Sequence, residues 1–104
     1  MPEEIACKEL HKRFVRGFMD VIILLMLVRE PLWGYKIMTE IWRRHEVKVG
    51  PPVIYPLLDS MEAGGLIEGK EVIERRRKRK VYSVTEKGLE SLNCMENVLD
   101  TIMK

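Results

Sequence analysis

The sequence predicts a mostly α-helical fold with one small β-hairpin. Three observations predict it. Residues 3–29 carry apolar side chains at helical spacing. Residues 50–64, Gly-Pro-Pro-Val-Ile-Tyr-Pro-Leu-Leu-Asp-Ser-Met-Glu-Ala-Gly, read as one short helix opened by Pro and stopped by Gly. Two short β-type stretches, 66–73 and 81–84, flank a run of cations.

Residues 3–29 read as a long helix, broken near its start if at all. Leu10, Phe14, Phe18, Val21, Ile22 and Leu25 form one stripe. Val15, Met19, Ile23 and Met26 form a second. Every residue from 21 to 28 is apolar, which predicts burial all round. Pro31 ends the helix, because it disfavours a helical Glu30. Leu32-Trp33-Gly34-Tyr35 reads as a short turn. A second helix over 35–45 follows, with Ile37, Met38, Ile41 and Trp42 inward and Lys36, Glu40, Arg43 and Arg44 outward.

The stretch 50–64 organises the rest. Pro51 and Pro52 cannot continue a preceding helix but suit the first turn of a new one. Ile54, Leu57, Leu58 and Met61 make its apolar face, at i, i+3, i+4 and i+7. Val53, Pro56, Asp59 and Ser60 lie on the outer face, with Tyr55 at the edge. Pro56 removes one intrahelical donor and predicts a loosened or reshaped first part of the helix. Helix two, a connector and helix three make a helix-turn-helix. The two strands after Gly64-Gly65 make a wing. Thr85 is the N-cap of a last helix running to the end. In that helix Leu92, Met95, Leu99 and Ile102 alternate spacings of three and four, a heptad seam. The expected architecture is a winged helix-turn-helix over 1–85 and a dimerisation helix over 86–104.

Charge is unevenly placed. The chain of 104 residues has a net charge of +2, but residues 74–80 set Glu74 against Arg75, Arg76, Arg77, Lys78, Arg79 and Lys80. That is +5 locally and leaves −3 for the remainder. A basic cluster on a mildly acidic body points to a localised polyanion contact. Like charges facing each other across a hairpin are destabilising, and phosphates would relieve them. Arg43, Arg44 and Lys48 flank the third helix and read either as further backbone contacts or as plain surface charge. Tyr35 and Lys36 open the second helix, whose amides suit a phosphate; Tyr35 reads equally as core. Trp33 and Trp42 read as core.

Other chemistries find no support. His11 and His45 stand alone, without metal-ligand spacing. Ser60, Ser83 and Ser91 have no His and Asp partners in a recognisable arrangement, and no Gly-rich phosphate loop precedes a helix. No enzyme, cofactor or metal is expected. Cys7 and Cys94 read as free thiols in a reducing cytosol. The opening Pro2-Glu3-Glu4 is not a signal-peptide pattern, and an eight-residue apolar run cannot span a membrane. The expected location is the cytoplasm, with no membrane partner. The chain has no Gln, few Asn and many Lys, Arg, Glu and Ile, a lean toward a thermophile.

Three blocks carry a resemblance. They are Ile22-Ile23-Leu24-Leu25 with Pro31-Leu32-Trp33-Gly34-Tyr35-Lys36-Ile37; Ile54-Tyr55-Pro56-Leu57-Leu58 with Met61-Glu62 and Gly65-Leu66-Ile67; and residues 77–88 with Tyr82, Thr85 and Gly88. Over residues 16–90 the chain resembles PadR-like transcriptional regulators, in the compact subgroup with a single C-terminal helix. The resemblance implies a dimeric repressor of double-stranded DNA. The third helix would read the major groove through Val53, Tyr55 and Pro56, and the wing would hold phosphates through residues 75–80. Val53 stands where the family usually has a small hydroxyl residue, so a thymine methyl contact replaces a phosphate contact. The last helix lacks the aromatic that drug-binding compact members place there. The dimer interface is expected at Phe14, Phe18, Met19, Leu92, Met95, Leu99 and Ile102. Two rival readings are a sensor with a small-molecule effector in the dimer interface and a winged-helix protein-interaction module.

Overall fold

The computed structural model describes residues 3–104. Met1 and Pro2, assigned from sequence to the winged domain and its acidic opening, lie outside the described residues. The elements are α1 (Glu3–Gly17), α2 (Met19–Arg29), β1 (Leu32–Trp33), α3 (Gly34–His45), α4 (Pro51–Ala63), β2 (Ile67–Glu74), β3 (Arg77–Val84) and α5 (Glu86–Met103). The first helix is therefore two helices, and the break is in the middle of the expected span. Gly17 weakens helical preference there, and Phe18 leaves helical geometry at φ −122°, ψ 40°. Hydrogen bonds from Phe18 N–H to Phe14 and from Ile22 N–H to Phe18 still bridge the kink, at 2.9 and 3.0 Å.

The core collects Val15, Ile23, Ile37, Ile41, Ile54, Leu58 and Ile67, all but inaccessible to water. The stripe of Val15, Met19, Ile23 and Met26 is thus inside this chain, not against another subunit. Met19, expected at a dimer interface, is 8% exposed and packs in the chain's own core. The other stripe is divided: Leu10, Phe14, Phe18 and Leu25 are exposed, as is Val28, while Ile22 is buried in the core. Burial of residues 21–28 on all sides does not hold within one chain. The kink decides which stripe turns inward.

Leu32-Trp33, read as a turn, is a short strand. The sheet order is β1-β3-β2, antiparallel, with Leu32 opposite Tyr82 and Trp33 opposite Val81. Helix α4 begins as expected: Gly50 is extended, Pro51 and Pro52 fill the first turn, and Pro56 sits inside the helix. It ends in a Schellman arrangement, with Leu66 N–H on Met61 O at 3.0 Å and Gly65 N–H on Glu62 O at 2.9 Å. Gly65 takes φ +78°, which a side chain rarely adopts. The Thr85 hydroxyl accepts from Gly88 N–H at 3.1 Å and faces the Gly65 and Leu66 carbonyl oxygens at 2.6 and 3.0 Å. A Cβ on Gly88 would run into the Leu66 carbonyl oxygen, so that glycine lets α5 start against the entry to β2. Tyr82, Thr85 and Gly88 are therefore a packing unit: a buried ring, a cap and a close approach.

Candidate nucleic-acid interface

The hairpin places its cations more sharply than the sequence suggested. The tip is only Arg75 and Arg76, since Glu74 pairs with Arg77. Both turn residues are left-handed, at φ 50° and 66°. A two-residue hairpin turn with positive φ at both positions suits Asn-Gly; a non-glycine residue there is strained by about 1 kcal/mol or more. Arg77, Lys78, Arg79 and Lys80 belong to β3 instead of the tip.

Strand β3 brings these cations to the helices. Tyr35, Tyr55, Arg77, Lys78, Arg79 and Lys80 line one cleft of about 580 Å³, with Trp33, Gly34 and Tyr82. Tyr35 is 68% exposed, which removes its core-packing reading. Tyr55 is 41% exposed and its ring lies directly over the Gly34 backbone. The Arg79 guanidinium stacks 4.8 Å from the centre of the Trp33 ring. Trp33 is therefore a platform at the edge of the cleft, while Trp42, also read as core, is exposed. Trp33, Gly34 and Tyr82 were missed as cleft residues. Their signal was present, since Trp33 and Gly34 immediately precede Tyr35.

Several expected contacts are otherwise engaged. Glu40, on the outward face by sequence, is buried and gathers three cations: Arg43 Nη2 at 2.7 Å, Arg44 Nε at 3.0 Å and Lys36 Nζ at 3.4 Å. The Arg43 hydrogen bond outweighs burial, and with Arg44 and Lys36 it holds the Glu40 carboxyl down to about 2. Lys36 lines a depression with Arg29, Glu30 and Glu40, away from the cleft. Lys80 is bound to Glu62 at 2.7 Å. Lys48 and Val53 line a separate depression of about 450 Å³ beside Arg16 and Asp20. Pro56 is exposed on α4. Among the described residues no salt bridge engages Arg75, Arg76, Arg77, Lys78 or Arg79. His11 and His45 do not stand alone: His11 Nε2 and His45 Nδ1 are 2.9 Å apart, joining α1 to α3. No group of three metal-ligating side chains forms among the described residues.

The expected dimer residues divide as well. Leu92, Met95 and Leu99 are half-buried where α5 lies along α2. With Val21, Leu25, Val28 and Leu89 they line a groove of about 610 Å³ rimmed by Glu96 and Asp100. Phe14, Phe18 and Ile102 are exposed. Among the described residues, no helix is long and apolar enough to cross a membrane.

A Pro-opened helix seated on α3, an antiparallel hairpin rich in arginine and an aromatic cleft between them define a winged helix-turn-helix. The family model for the transcriptional regulator PadR-like family matches residues 23–93, and the chain belongs to that family. It is a transcriptional regulator and not an enzyme. A PadR-like transcriptional regulator from Bacillus cereus has a similar structure, at 30% identity and TM-score 0.76, covering 88% of this chain and 89% of that one. A PadR family regulator from Eggerthella lenta superimposes at TM-score 0.78 with 24% identity over 97% of this chain and 88% of that one. One from Clostridium difficile does so at 0.75 with 25% identity over 84% and 92%. A comparison with curated protein sequences finds no match.

Proposed function

We propose that the chain acts in the cytoplasm as a homodimer that binds a double-stranded operator sequence-specifically and represses transcription. Residues 1–85 form the DNA-binding unit and 86–104 the dimerisation helix. The observation that carries the reading is the cleft, where Tyr55 of α4 and Arg77, Lys78 and Arg79 of the wing face one space beside Tyr35. A helix tip with Val53, Tyr55 and Pro56 suits base edges and the groove wall. Arg75, Arg76, Arg77 and Lys78 suit phosphates, or the minor groove for one arginine.

The open apolar surface supports the dimer. Leu10 and Phe14 on α1 and Phe18 at the kink that follows recur every four residues, among Lys8, Lys12, Arg13 and Arg16. The groove between α2 and α5 is apolar inside and acidic at the rim through Glu96 and Asp100. A second copy's α1 complements it in charge and in apolar content. Two α4 helices then reach successive major grooves about 34 Å apart.

Fluorescence anisotropy with a duplex from the protein's own promoter, against a scrambled duplex, tests this across a salt series. Tighter binding to the promoter duplex is expected. If the two wings neutralise about six phosphates, log affinity falls with log salt at a slope near −5. Equal binding of duplex and any other polyanion would favour the protein-interaction reading. Transcription from the bound promoter should fall as protein is added; a rise would reverse the sign.

A further inference from the structure

One carboxylate ties the wing to α4. Glu62 sits in the last turn of α4, and its two oxygens are divided between the two long strands. Oε2 accepts from the Gly69 N–H of β2 at 2.9 Å, and Oε1 pairs with Lys80 Nζ of β3 at 2.7 Å. Gly69 is opposite Tyr82 in the sheet, and Lys80 Nζ lies 5.5 Å from the centre of the Tyr82 ring. A Cβ on Gly69 would run into Lys80 Cε and stand 3.1 Å from both Glu62 Oε2 and Tyr82 Cε1. The glycine leaves the space in which the bridge forms. Each partner favours the other's charge: the Lys80 hydrogen bond lowers the Glu62 carboxyl, and Glu62 raises the Lys80 amine.

We infer that Glu62 and Lys80 are positioning residues that set the angle of the wing to α4, so that sequence discrimination depends on them while total phosphate contact does not. The inference rests on the DNA-binding reading above. Lys80 sits within the basic run, yet its ammonium is committed to a surface strut that joins β3 to α4. The phosphate-facing charges are then Arg75, Arg76, Arg77 and Lys78, which have no salt-bridge partner among the described residues. The strut holds those charges at a constant distance from Tyr55. A base contact is lost by a displacement of about 1 Å, whereas a phosphate contact between flexible side chain and backbone adapts.

Lys80→Met separates the two roles, since it keeps the stem against Tyr82 and removes the charge. Anisotropy with promoter and scrambled duplexes over a salt series, with melting curves to confirm folding, is the measurement. A strut predicts that the promoter-to-scrambled affinity ratio falls about tenfold, the discrimination of one base contact, with the salt slope unchanged. Lys80→Arg should restore the ratio. Glu62→Gln should also lower the ratio, but with a steeper slope, by about 0.9 for each lysine it releases to a phosphate. If Lys80→Met instead makes the slope shallower by about 0.9 per subunit and leaves the ratio intact, Lys80 is a phosphate ligand and the inference is overturned. A ratio that both variants retain overturns it too. If the wild-type protein binds both duplexes alike, the DNA-binding reading fails first, before any variant is compared.

Discussion

Gly34→Ala should damage DNA binding while sparing the fold. A Cβ at Gly34 would sit 2.6 Å from Tyr55 Cε1, 2.9 Å from its Oη and 3.0 Å from its Cζ. Carbon atoms in comfortable contact are about 3.5–4.0 Å apart, so the ring edge must retreat by about 1 Å. It can do so, because Tyr55 is 41% exposed and the clashing atoms are the far end of its side chain. Gly34 also opens α3, where alanine is the better helix former by up to about 1 kcal/mol. The melting temperature should therefore hold or rise slightly. A displaced Tyr55 loses its place at the base edge, and one such contact is worth about 1–3 kcal/mol. Affinity for the promoter duplex should fall by roughly five- to a hundredfold, with little change for a scrambled duplex. Anisotropy and thermal melting on the same preparation read both quantities. A Gly34→Ala protein that melts as wild type and binds the promoter duplex as tightly would refute the assignment of Tyr55 to the interface.

Other perturbations separate further parts of the account. Thr85→Ala removes the α5 cap and its contact with the Gly65 and Leu66 carbonyls; urea unfolding should show a loss of about 1–3 kcal/mol, and Thr85→Ser should recover most of it. Leu99→Asp places a charge in the groove between α2 and α5 and should convert dimer to monomer by light scattering; an unchanged mass contradicts the seam. Burial, reinforced by the charge of His11 and Arg44, pushes the His45 imidazole below 6.5. The unfolded chain therefore takes up the proton first, and stability is full above about pH 6.5 and declines as pH drops through the lowered value; His45→Asn should flatten that part of the profile. Glu40 works at lower pH in the usual carboxylate sense. Its contribution is present above about 4.5 and is lost as pH falls toward about 2, and Glu40→Gln should abolish that dependence.

The third helix was readable because its signals are local. Two prolines, an i, i+3, i+4, i+7 face and a Gly-Gly stop all lie within fifteen residues, and all hold in α4. Thr85 was readable as a cap for the same reason. What escaped depends on separation or on a choice between equals. Two apolar stripes run along residues 10–26, and nothing local says which faces inward; the kink at Gly17 and Phe18 decides. The basic run was assigned to the hairpin tip because it separates two β-type stretches, yet a turn closed by Arg75 and Arg76 shortens the tip and moves four cations into β3. No Asn-Gly marked that turn. The Glu40 cluster lay within reach of the sequence, since Lys36, Arg43 and Arg44 are spaced four, three and four residues from it. The pairing of Glu62 with Lys80 spans 18 residues and that of His11 with His45 spans 34, and only the folded chain brings them together.

Hydroxyl-radical footprinting of the promoter duplex tests the central claim most directly, because it reads groove contact and subunit number together. Two protected windows on one face of the duplex, centred about 10 base pairs apart, are expected from two α4 helices and their wings. Arg76→Ala should weaken only the flanking backbone protection, and Tyr55→Ala the window centres. A single uniform protection that moves with protein concentration and ignores sequence would contradict the account.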